Sequence, residues 1–250
     1  MTDLPAVAGL FPTLLAPSVA RSQASRLGVA VVHDLVAAIV KGEVAPGSPL
    51  PPEAVLSQTF GVSRTVIRES VKRVEEKGLV VIEQGRGTHV RPASYWNVLD
   101  PIVLSAMVEN DDSLRVLDDL AVVRASLEAS MAALTATLRD DEELVALGNA
   151  LARMEAALDD ENLFNDADAD FHLIVMAASR NTLADSITRI LFRRARESSR
   201  FRGTSGGDEL RRTLDEHRLI HAAITLGDSV AAEVAMRSHI RAAWARRRPS

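Results

Sequence analysis

The side chains best suited to chemistry in this 250-residue sequence are one aspartate and three histidines in its second half. Asp168 and His172 are four residues apart, so a helix would present both on one face. His217 and His239 lie on two further segments with helical periodicity. One carboxylate and three imidazoles suit a borderline divalent ion such as Zn, Mn, Ni, Co or Fe, and would leave coordination positions open for water or a ligand oxygen.

Spacing alone leaves other interpretations of these residues open. A single histidine is commonly a surface or hydrogen-bonded residue, and His217 with His221 forms a competing pair at i and i+4. A metal-dependent hydrolase or lyase could use the same four ligands to activate water. However, no HExxH motif, nucleophile elbow or evident general base accompanies them.

Six segments with apolar residues at helical spacing must position these side chains, and none shows convincing strand alternation. They cover residues 113–137, 141–159, 163–179, 182–201, 207–227 and 228–247. The second half is therefore predicted to be an all-α bundle. The three arginines at positions 246–248 are predicted to be a frayed tail.

A second kind of chemistry is indicated between positions 50 and 90. A first helix ends at the turn Phe60-Gly61-Val62, and Ser63 caps a second helix that stops at Gly78. An apolar strand, Leu79 to Ile82, and a glycine-rich tip, Gln84 to Gly87, follow. This order is typical of a winged helix-turn-helix, which places its second helix in the major groove of DNA.

The start of the second helix carries the side chains suited to DNA. Arg64 and Arg68 share one helical face, and an arginine fork can bind guanine in bidentate fashion or clamp a phosphate. Ser63 and Thr65 can donate to phosphates beside the exposed N–H groups of the helix start. Gly85 lets the backbone of the wing tip approach a groove closely. Alternatively, the two arginines belong to a solvated helix face, but the complete order of elements favours DNA binding.

Charge and composition agree with two different modules. From Arg21 to Arg91 there are ten Lys and Arg against seven Asp and Glu, a net charge of about +3, so the rest must carry about −8 to give the formal −5. A basic module joined to an acidic one suits a DNA reader with a separate ligand domain. Hydrophobic residues make up 47% of the chain and aromatic residues only 4%, which favours helix packing over a sandwich.

Several classes are excluded or disfavoured. The absence of cysteine excludes disulfides and thiolate metal sites. No apolar run reaches the length of a transmembrane helix. Residues 1–20 are apolar but contain no Lys or Arg, so they lack the basic start of a signal peptide. We expect these residues to be a flexible or loosely docked arm of a cytoplasmic protein with no membrane partner.

The DNA-binding segment resembles the DNA-binding domain of GntR-family transcription regulators over residues 28–92. The resemblance rests on Pro51-Pro52-Glu53, Gly61-Val62-Ser63-Arg64-Thr65, Ile67-Arg68-Glu69, Gly78-Leu79 and Gly85-x-Gly87-Thr88-x-Val90. It implies base or phosphate contacts from Arg64, Thr65 and Arg68, with Gln84 and Gly85 at the wing. One departure is Ala54, where members often carry a basic residue.

The helical half resembles the FCD ligand-binding domain of FadR-type GntR regulators over residues 113–244. The matching motifs are Arg124-x-x-x-Glu128, Asp168-x-x-Phe171-His172, Glu216-His217-Arg218-x-Ile220 and His239-Ile240. The resemblance implies that Asp168, His172, His217 and His239 hold a divalent metal ion. It further implies that a small carboxylate effector completes the coordination sphere and that Arg124 faces this anion.

The segment Tyr95-Trp96-Asn97-Val98-Leu99-Asp100-Pro101 is similar to the segment after the wing in regulators of sugar-acid catabolism, such as galactonate repressors. An aldonic or hexuronic acid is therefore the leading expectation for the effector, ahead of lactate, other hydroxy acids, dicarboxylates and acyl-CoA.

The predicted plan has four parts. An arm at 1–20 precedes a winged helix-turn-helix at 21–92, a linker at 93–112, and an all-helical effector, metal-binding and dimerisation domain at 113–247. The hypothesis is a regulator, not an enzyme, in which a homodimer represses by binding an inverted repeat in double-stranded DNA and the effector weakens that binding. A regulator that senses the metal itself shares every motif and stays open.

Overall fold

The computed structural model describes residues 23–197 and 207–248, and the chain divides into two compact units, Met1–Trp96 and Asn97–Ser250. The arm predicted at 1–20 lies outside the described residues. Within the described ranges the chain forms ten α-helices and one two-stranded sheet, which confirms the predicted mainly α fold class. None of the helices found there combines the length and apolarity needed to span a bilayer.

The first unit is a winged helix-turn-helix. Its helices and strands are α1 (Gln23–Val40), α2 (Glu53–Phe60), α3 (Arg64–Glu76), β1 (Val80–Glu83) and β2 (Gly87–Val90). The two strands pair antiparallel with Val80 opposite Val90 and Glu83 opposite Gly87. Buried Val36 of α1 and Ile67 and Val74 of α3 form the core that holds the helices together.

Local sequence explains the turn between α2 and α3. Gly61 follows α2 with a φ of 64°, a left-handed conformation that glycine adopts without steric cost. Two residues later the Ser63 hydroxyl accepts a hydrogen bond from Val66 N at 3.3 Å and caps α3. Arg64, Thr65 and the following turn are thereby fixed at the exposed start of α3.

The described part of the second unit contains seven helices. They are α4 (Pro101–Glu109), α5 (Arg115–Leu138), α6 (Asp141–Ala156), α7 (Glu161–Ala178), α8 (Thr182–Glu197), α9 (Gly207–Leu226) and α10 (Ser229–Arg247). Six of them correspond to the segments predicted from apolar periodicity.

The remaining helix, α4, lies inside the segment that the sequence predicts as a linker. The Asp100 carboxylate accepts hydrogen bonds from Ile102 N and Val103 N, and Pro101 occupies the first turn, where it needs no N–H partner. Leu104 and Val108 pack against α5, α8 and α10. Because α4 buries this apolar face, it is part of the helical unit.

Small residues bring the long helices of this unit close together. Ala125, Ala129, Ala132 and Ala136 occupy one face of α5 and are completely buried. Apolar residues of α7, α9 and α10 pack in the same cluster as this alanine face, including Phe171, Ile220, Met236 and Ile240. The close packing at α5 holds α7, α9 and α10 at short range, and these three helices carry the aspartate and histidines singled out above.

Candidate metal centre and nucleic-acid interface

The four side chains predicted as metal ligands lie together in the core of the helical unit. Asp168 and His172 come from α7, His217 from α9 and His239 from α10, and one ligand atom from each lies within 4.8 Å of the others. All four residues are buried, and His217 is 0% exposed. Three helices that are separate in sequence therefore build one compact cluster of metal-binding groups.

The Nε2 atoms of the three imidazoles point toward a common centre. His172 Nε2 and His239 Nε2 are 3.2 Å apart, and His217 Nε2 is 3.3 Å from Asp168 Oδ1. The rings of His217 and His239 are 4.3 Å apart at their centroids and steeply inclined to each other. The rings of His172 and His239 are more nearly parallel, with their centroids 5.2 Å apart.

Each imidazole has an oxygen atom beside its other nitrogen. His217 Nδ1 lies 2.8 Å from the carbonyl oxygen of Thr213, one helical turn earlier. A carbonyl oxygen can only accept, so His217 must carry its proton on Nδ1 and present an unprotonated Nε2 to the centre. This arrangement fixes the tautomer that metal-ligating histidines need.

Carboxylates play the same part for the other two rings. His239 Nδ1 lies 2.8 Å from Glu216 Oε2, and His172 Nδ1 lies 2.7 Å from Glu128 Oε2. A carboxylate beside Nδ1 orients the ring and increases the basicity of Nε2. His217 and His239 thus have the hydrogen-bonded outer partner that protein metal sites commonly use, whereas His172 Nδ1 and Glu128 Oε2 are in close contact without the alignment of a hydrogen bond.

A cation at the centre would resolve an electrostatic conflict in this cluster. With the protons on Nδ1, the Nε2 lone pairs of His172 and His239 face each other, and His217 Nε2 is buried without a hydrogen-bond partner among the described residues. A buried acceptor left without a donor is costly. The donor set of three imidazole nitrogens and one carboxylate therefore fits a divalent metal ion of the borderline class.

The protonation states also suit metal binding. Burial opposes ionisation of Asp168, but the imidazoles of His172 and His217 hold the pKa of its carboxyl well below its usual range. Burial and the neighbouring His239 ring lower the pKa of His217 to about 3. Near pH 7, Asp168 is therefore a carboxylate and His217 is neutral, as metal ligands must be.

Arg124, the predicted anion partner, lies beside the cluster but is engaged by a carboxylate. Its Nε donates to Glu128 Oε1 at 2.7 Å, and its guanidinium carbon lies 4.7 Å above the centre of the Phe192 ring. Arg124 is only 6% exposed. Burial opposes ionisation of Glu128, but Arg124 and His172 lower the pKa of its carboxyl to about 2. Arg124 is thus connected to the candidate ligand His172 through one buried carboxylate.

The sequence motifs indicate no role for Glu128 or Glu216. Both were visible as parts of motifs, Glu128 four residues after Arg124 and Glu216 directly before His217. Their roles depend on rings from other helices, which spacing in one helix does not show. The competing pair of His217 and His221 is not formed as a site, because His221 lies toward α6, near Gly148, and is absent from the cluster.

The residues predicted to contact DNA are all exposed on the first unit. Ser63, Arg64, Thr65 and Arg68 occupy the first turns of α3, while Gln84 and Gly85 form the wing tip. Arg68 donates to the Glu53 carboxylate through Nε and Nη2, at 3.1 and 3.0 Å. This exposed ion pair directs the guanidinium along the surface of α2 and α3.

Two protein-family models match the chain. The model described as "Bacterial regulatory proteins, gntR family" covers residues 27–90, and the model described as "FCD domain" covers residues 119–242. The first range contains every residue predicted to contact DNA, and the second contains Arg124 and all four residues of the buried cluster.

Individual relatives cover most of the chain. It is 34% identical over 207 residues to the Galactonate operon transcriptional repressor of Escherichia coli (strain K12), covering 82% of this chain and 90% of that one. It is 30% identical over 206 residues to the HTH-type transcriptional regulator LutR of Bacillus subtilis (strain 168), covering 81% and 92%. The solved structure of Lar, which controls expression of the Listeria monocytogenes agr system, is similar in fold, with a TM-score of 0.56 at 18% identity over 88% of this chain and 96% of that one.

Proposed function

Because the chain belongs to the GntR family of bacterial regulatory proteins and carries an FCD domain, we propose that it is a repressor whose operator binding is weakened by a small carboxylate bound at a metal centre. Family membership makes it a DNA-binding regulator of transcription and not an enzyme. The alternative of a metal-dependent hydrolase or lyase, which the four possible ligands alone did not exclude, is therefore set aside.

The buried cluster is the observation that carries the proposal. Asp168, His172, His217 and His239 converge in the core, with the outer nitrogen of each ring beside an oxygen atom. A divalent ion bound there would supply a Lewis-acidic position for the oxygen of a ligand. The four side chains leave room for such an oxygen around an ion that accepts five or six ligands, such as Mn²⁺, Ni²⁺, Co²⁺ or Fe²⁺, whereas Zn²⁺ would have to expand beyond its usual four.

The effector class follows from charge. Arg124 is buried beside the cluster, and its guanidinium has further N–H groups besides the Nε that contacts Glu128. A carboxylate could bind the metal with one oxygen and this guanidinium with the other. A sugar acid is the leading candidate, in keeping with a relative named for the galactonate operon.

DNA binding would reside in the first unit. The proposed protein is a homodimer that presents two copies of α3 to an inverted repeat, with Arg64, Thr65 and Arg68 at base edges or phosphates and the wing tip at the backbone. Effector binding weakens the complex by the difference in effector affinity between the free and DNA-bound states. Such a regulator would act in the cytoplasm, where the operator lies.

The test is a thermal-shift screen of the metal-stripped protein with sugar acids and small carboxylates, each with and without added Mn²⁺, Zn²⁺, Ni²⁺ or Co²⁺. A ligand that binds the native state raises the melting temperature by mass action. We expect one acid to stabilise the protein only when metal is present, and the same pair to reduce operator affinity.

Two other outcomes would change the proposal. In the first, metal alone stabilises the protein and changes operator affinity, and no acid stabilises it further. The protein then senses metal, and the proposed carboxylate effector is wrong. If no divalent ion stabilises the protein, the cluster is a buried polar network and the metal centre is wrong.

A further inference from the structure

The end of α10 contacts residues that surround the cluster. The sequence predicted a frayed tail at positions 246–248, but α10 continues to Arg247 and the Arg246 side chain is only 17% exposed. Arg246 lies about two helical turns after His239 in the same helix, on the side that faces α9. Its contacts are therefore made with residues that themselves contact the proposed metal ligands.

Arg246 holds the carboxylate that holds His239. Its Nη1 donates to Glu216 Oε1 at 2.6 Å and its Nη2 donates to Glu216 Oε2 at 2.9 Å. Glu216 Oε2 is the atom that lies 2.8 Å from His239 Nδ1. This bidentate geometry fixes both oxygens of the carboxylate, which a single contact would not do.

Arg246 also contacts the outer partner of a second ring. Its Nη2 donates to the Thr213 hydroxyl at 3.2 Å, and the carbonyl oxygen of Thr213 accepts from His217 Nδ1. Thr213 and Glu216 are neighbours on one face of α9, three residues apart. A single guanidinium thus spans the two α9 residues that orient the rings of His217 and His239.

We propose that Arg246 is a positioning residue for the metal centre, acting on His239 through Glu216 and on His217 through Thr213. The inference rests on the proposed metal site, and it adds a group that touches neither metal nor effector. Glu216 is half-buried, so without Arg246 its carboxylate could turn toward solvent, since side-chain freedom favours the unconstrained state. His239 would then lose its fixed orientation.

The test uses the metal-stripped full chain titrated with Co²⁺, followed by calorimetry and by the visible absorption of bound Co²⁺. We expect Arg246→Gln to weaken Co²⁺ binding by about tenfold, because loss of an outer partner typically costs ten- to a hundredfold in metal affinity. The absorption bands should also change, because the geometry around His239 is no longer fixed. Arg246→Lys keeps the charge but not the bidentate fork, so its affinity should fall in between.

Arg248→Gln is the matched control. Arg248 directly follows α10 and makes a bidentate ion pair with Asp118, which is more exposed than the pair of Arg246 with Glu216. The hydrogen bonds of Asp118 are made with Arg248 and Trp244, which are not ligands of the proposed metal. Arg248→Gln should leave Co²⁺ affinity and spectrum unchanged. A double variant gives a further check. Glu216→Gln combined with Arg246→Gln should bind Co²⁺ at most about threefold more weakly than Glu216→Gln alone, because Arg246 acts chiefly through Glu216.

Failure of the inference is distinct from failure of the metal site. If wild-type protein binds Co²⁺ and Arg246→Gln binds it with the same affinity and spectrum, Arg246 is not a positioning residue although the metal site stands. The same holds if Arg246→Gln lowers the melting temperature of the metal-free protein but leaves the spectrum of bound Co²⁺ unchanged, because its role is then general stability. If the wild type binds no Co²⁺, both the metal site and the role of Arg246 are overturned.

Discussion

Glu128 Oε2 lies 2.7 Å from His172 Nδ1, and both residues are almost completely buried. The other oxygen of the same carboxylate accepts a hydrogen bond from Arg124. One carboxylate therefore lies between a proposed metal ligand and the proposed anion partner. Any movement of Arg124 toward a bound carboxylate would change the position of Glu128, and with it the orientation of His172.

Substitution of Glu128 tests this link. Glu128→Gln keeps the shape of the side chain but removes the charge beside His172 Nδ1, and we expect metal affinity to fall by about ten- to a hundredfold. Calorimetric titration with Mn²⁺ or Zn²⁺ would measure it. Glu155→Gln is the control, because Glu155 pairs with Arg218 on the exposed surface. Equal affinities for the two variants would show that Glu128 does not orient a ligand.

Acid should destabilise the metal-free protein. The pKa of Glu128 and of Glu216 is lowered from 4.5 to about 2, and that of His217 from 6.5 to about 3. Burial opposes the first two shifts, which arise from bound arginine and histidine partners, whereas burial causes the third. In each case the unfolded chain binds the proton more tightly, so stability rises with pH through these windows.

The resulting profile has a definite direction and range. Stability should be complete above pH 6.5, fall as the unfolded His217 takes up its proton, and fall more steeply below pH 4.5 as the unfolded glutamates do. Urea unfolding of metal-free protein at pH 7, 6, 5 and 4 would measure this loss of stability as a decrease in the urea concentration at the unfolding midpoint. A midpoint that does not change over this range would contradict the buried, ionised state of the cluster.

The four cluster residues could be predicted from the sequence, whereas the carboxylates that hold their rings could not. Asp168 and His172 follow from one helical spacing, and the addition of His217 and His239 rested on resemblance to a family, because no spacing rule joins residues on different helices. Glu128 and Glu216 acquire their roles only when α5, α9 and α10 pack against each other. Such contacts depend on side-chain directions in three dimensions, and a periodic pattern in the chain does not contain them.

The fold shows the same division. The helices of the second unit follow from apolar periodicity, and the helix-turn-helix follows from Gly61 and Ser63, which act on their immediate neighbours. In contrast, residues 93–112, which contain Pro101, were expected to link two domains. There Pro101 and Asp100 start α4 instead, since proline and aspartate are as suitable at a helix start as in a loop.

Arg68 should be needed for operator recognition but not for folding. Its ion pair with Glu53 is exposed, so Arg68→Ala should change stability by no more than about 1 kcal/mol. Loss of one bidentate base contact should weaken specific binding by roughly 1–3 kcal/mol per half-site. Arg73→Ala is the control, because Arg73 is exposed on α3 about 140° around the axis from Arg68. Equal operator affinities for both variants, measured by anisotropy, would exclude Arg68 from the interface.

Gly78 should tolerate no side chain. It has a φ of 80°, and a Cβ there would overlap the backbone carbonyl of Tyr95. Gly42 has a similar φ of 78° but nothing within 4 Å. We expect Gly42→Ala to cost about 1–2 kcal/mol, the general cost of the left-handed conformation, and Gly78→Ala to cost clearly more. Thermal melts of the two variants would measure the difference, and equal melting temperatures would contradict the close approach.

Arg124 distinguishes the two remaining ways in which metal could control DNA binding. If a carboxylate bridges the metal and Arg124, Arg124→Gln should weaken binding of the carboxylate by roughly 2–3 kcal/mol, because a charge-assisted hydrogen bond is lost. Arg124→Lys keeps the charge and should retain part of the response. The measurement is the shift in melting temperature on adding the acid to metal-loaded protein, with the exposed Arg153→Gln as control.

The metal-sensing alternative gives a different pattern for the same variants. In that case Arg124 serves only to hold Glu128, so Arg124→Gln should weaken metal binding itself, as Glu128→Gln does. No acid would then shift the melting temperature of any variant, including the wild type. Because Arg124 holds Glu128 under either function, Arg124→Gln should weaken metal binding in both cases. The two functions differ in whether an acid shifts the melting temperature of metal-loaded wild-type protein and whether Arg124→Gln reduces that shift.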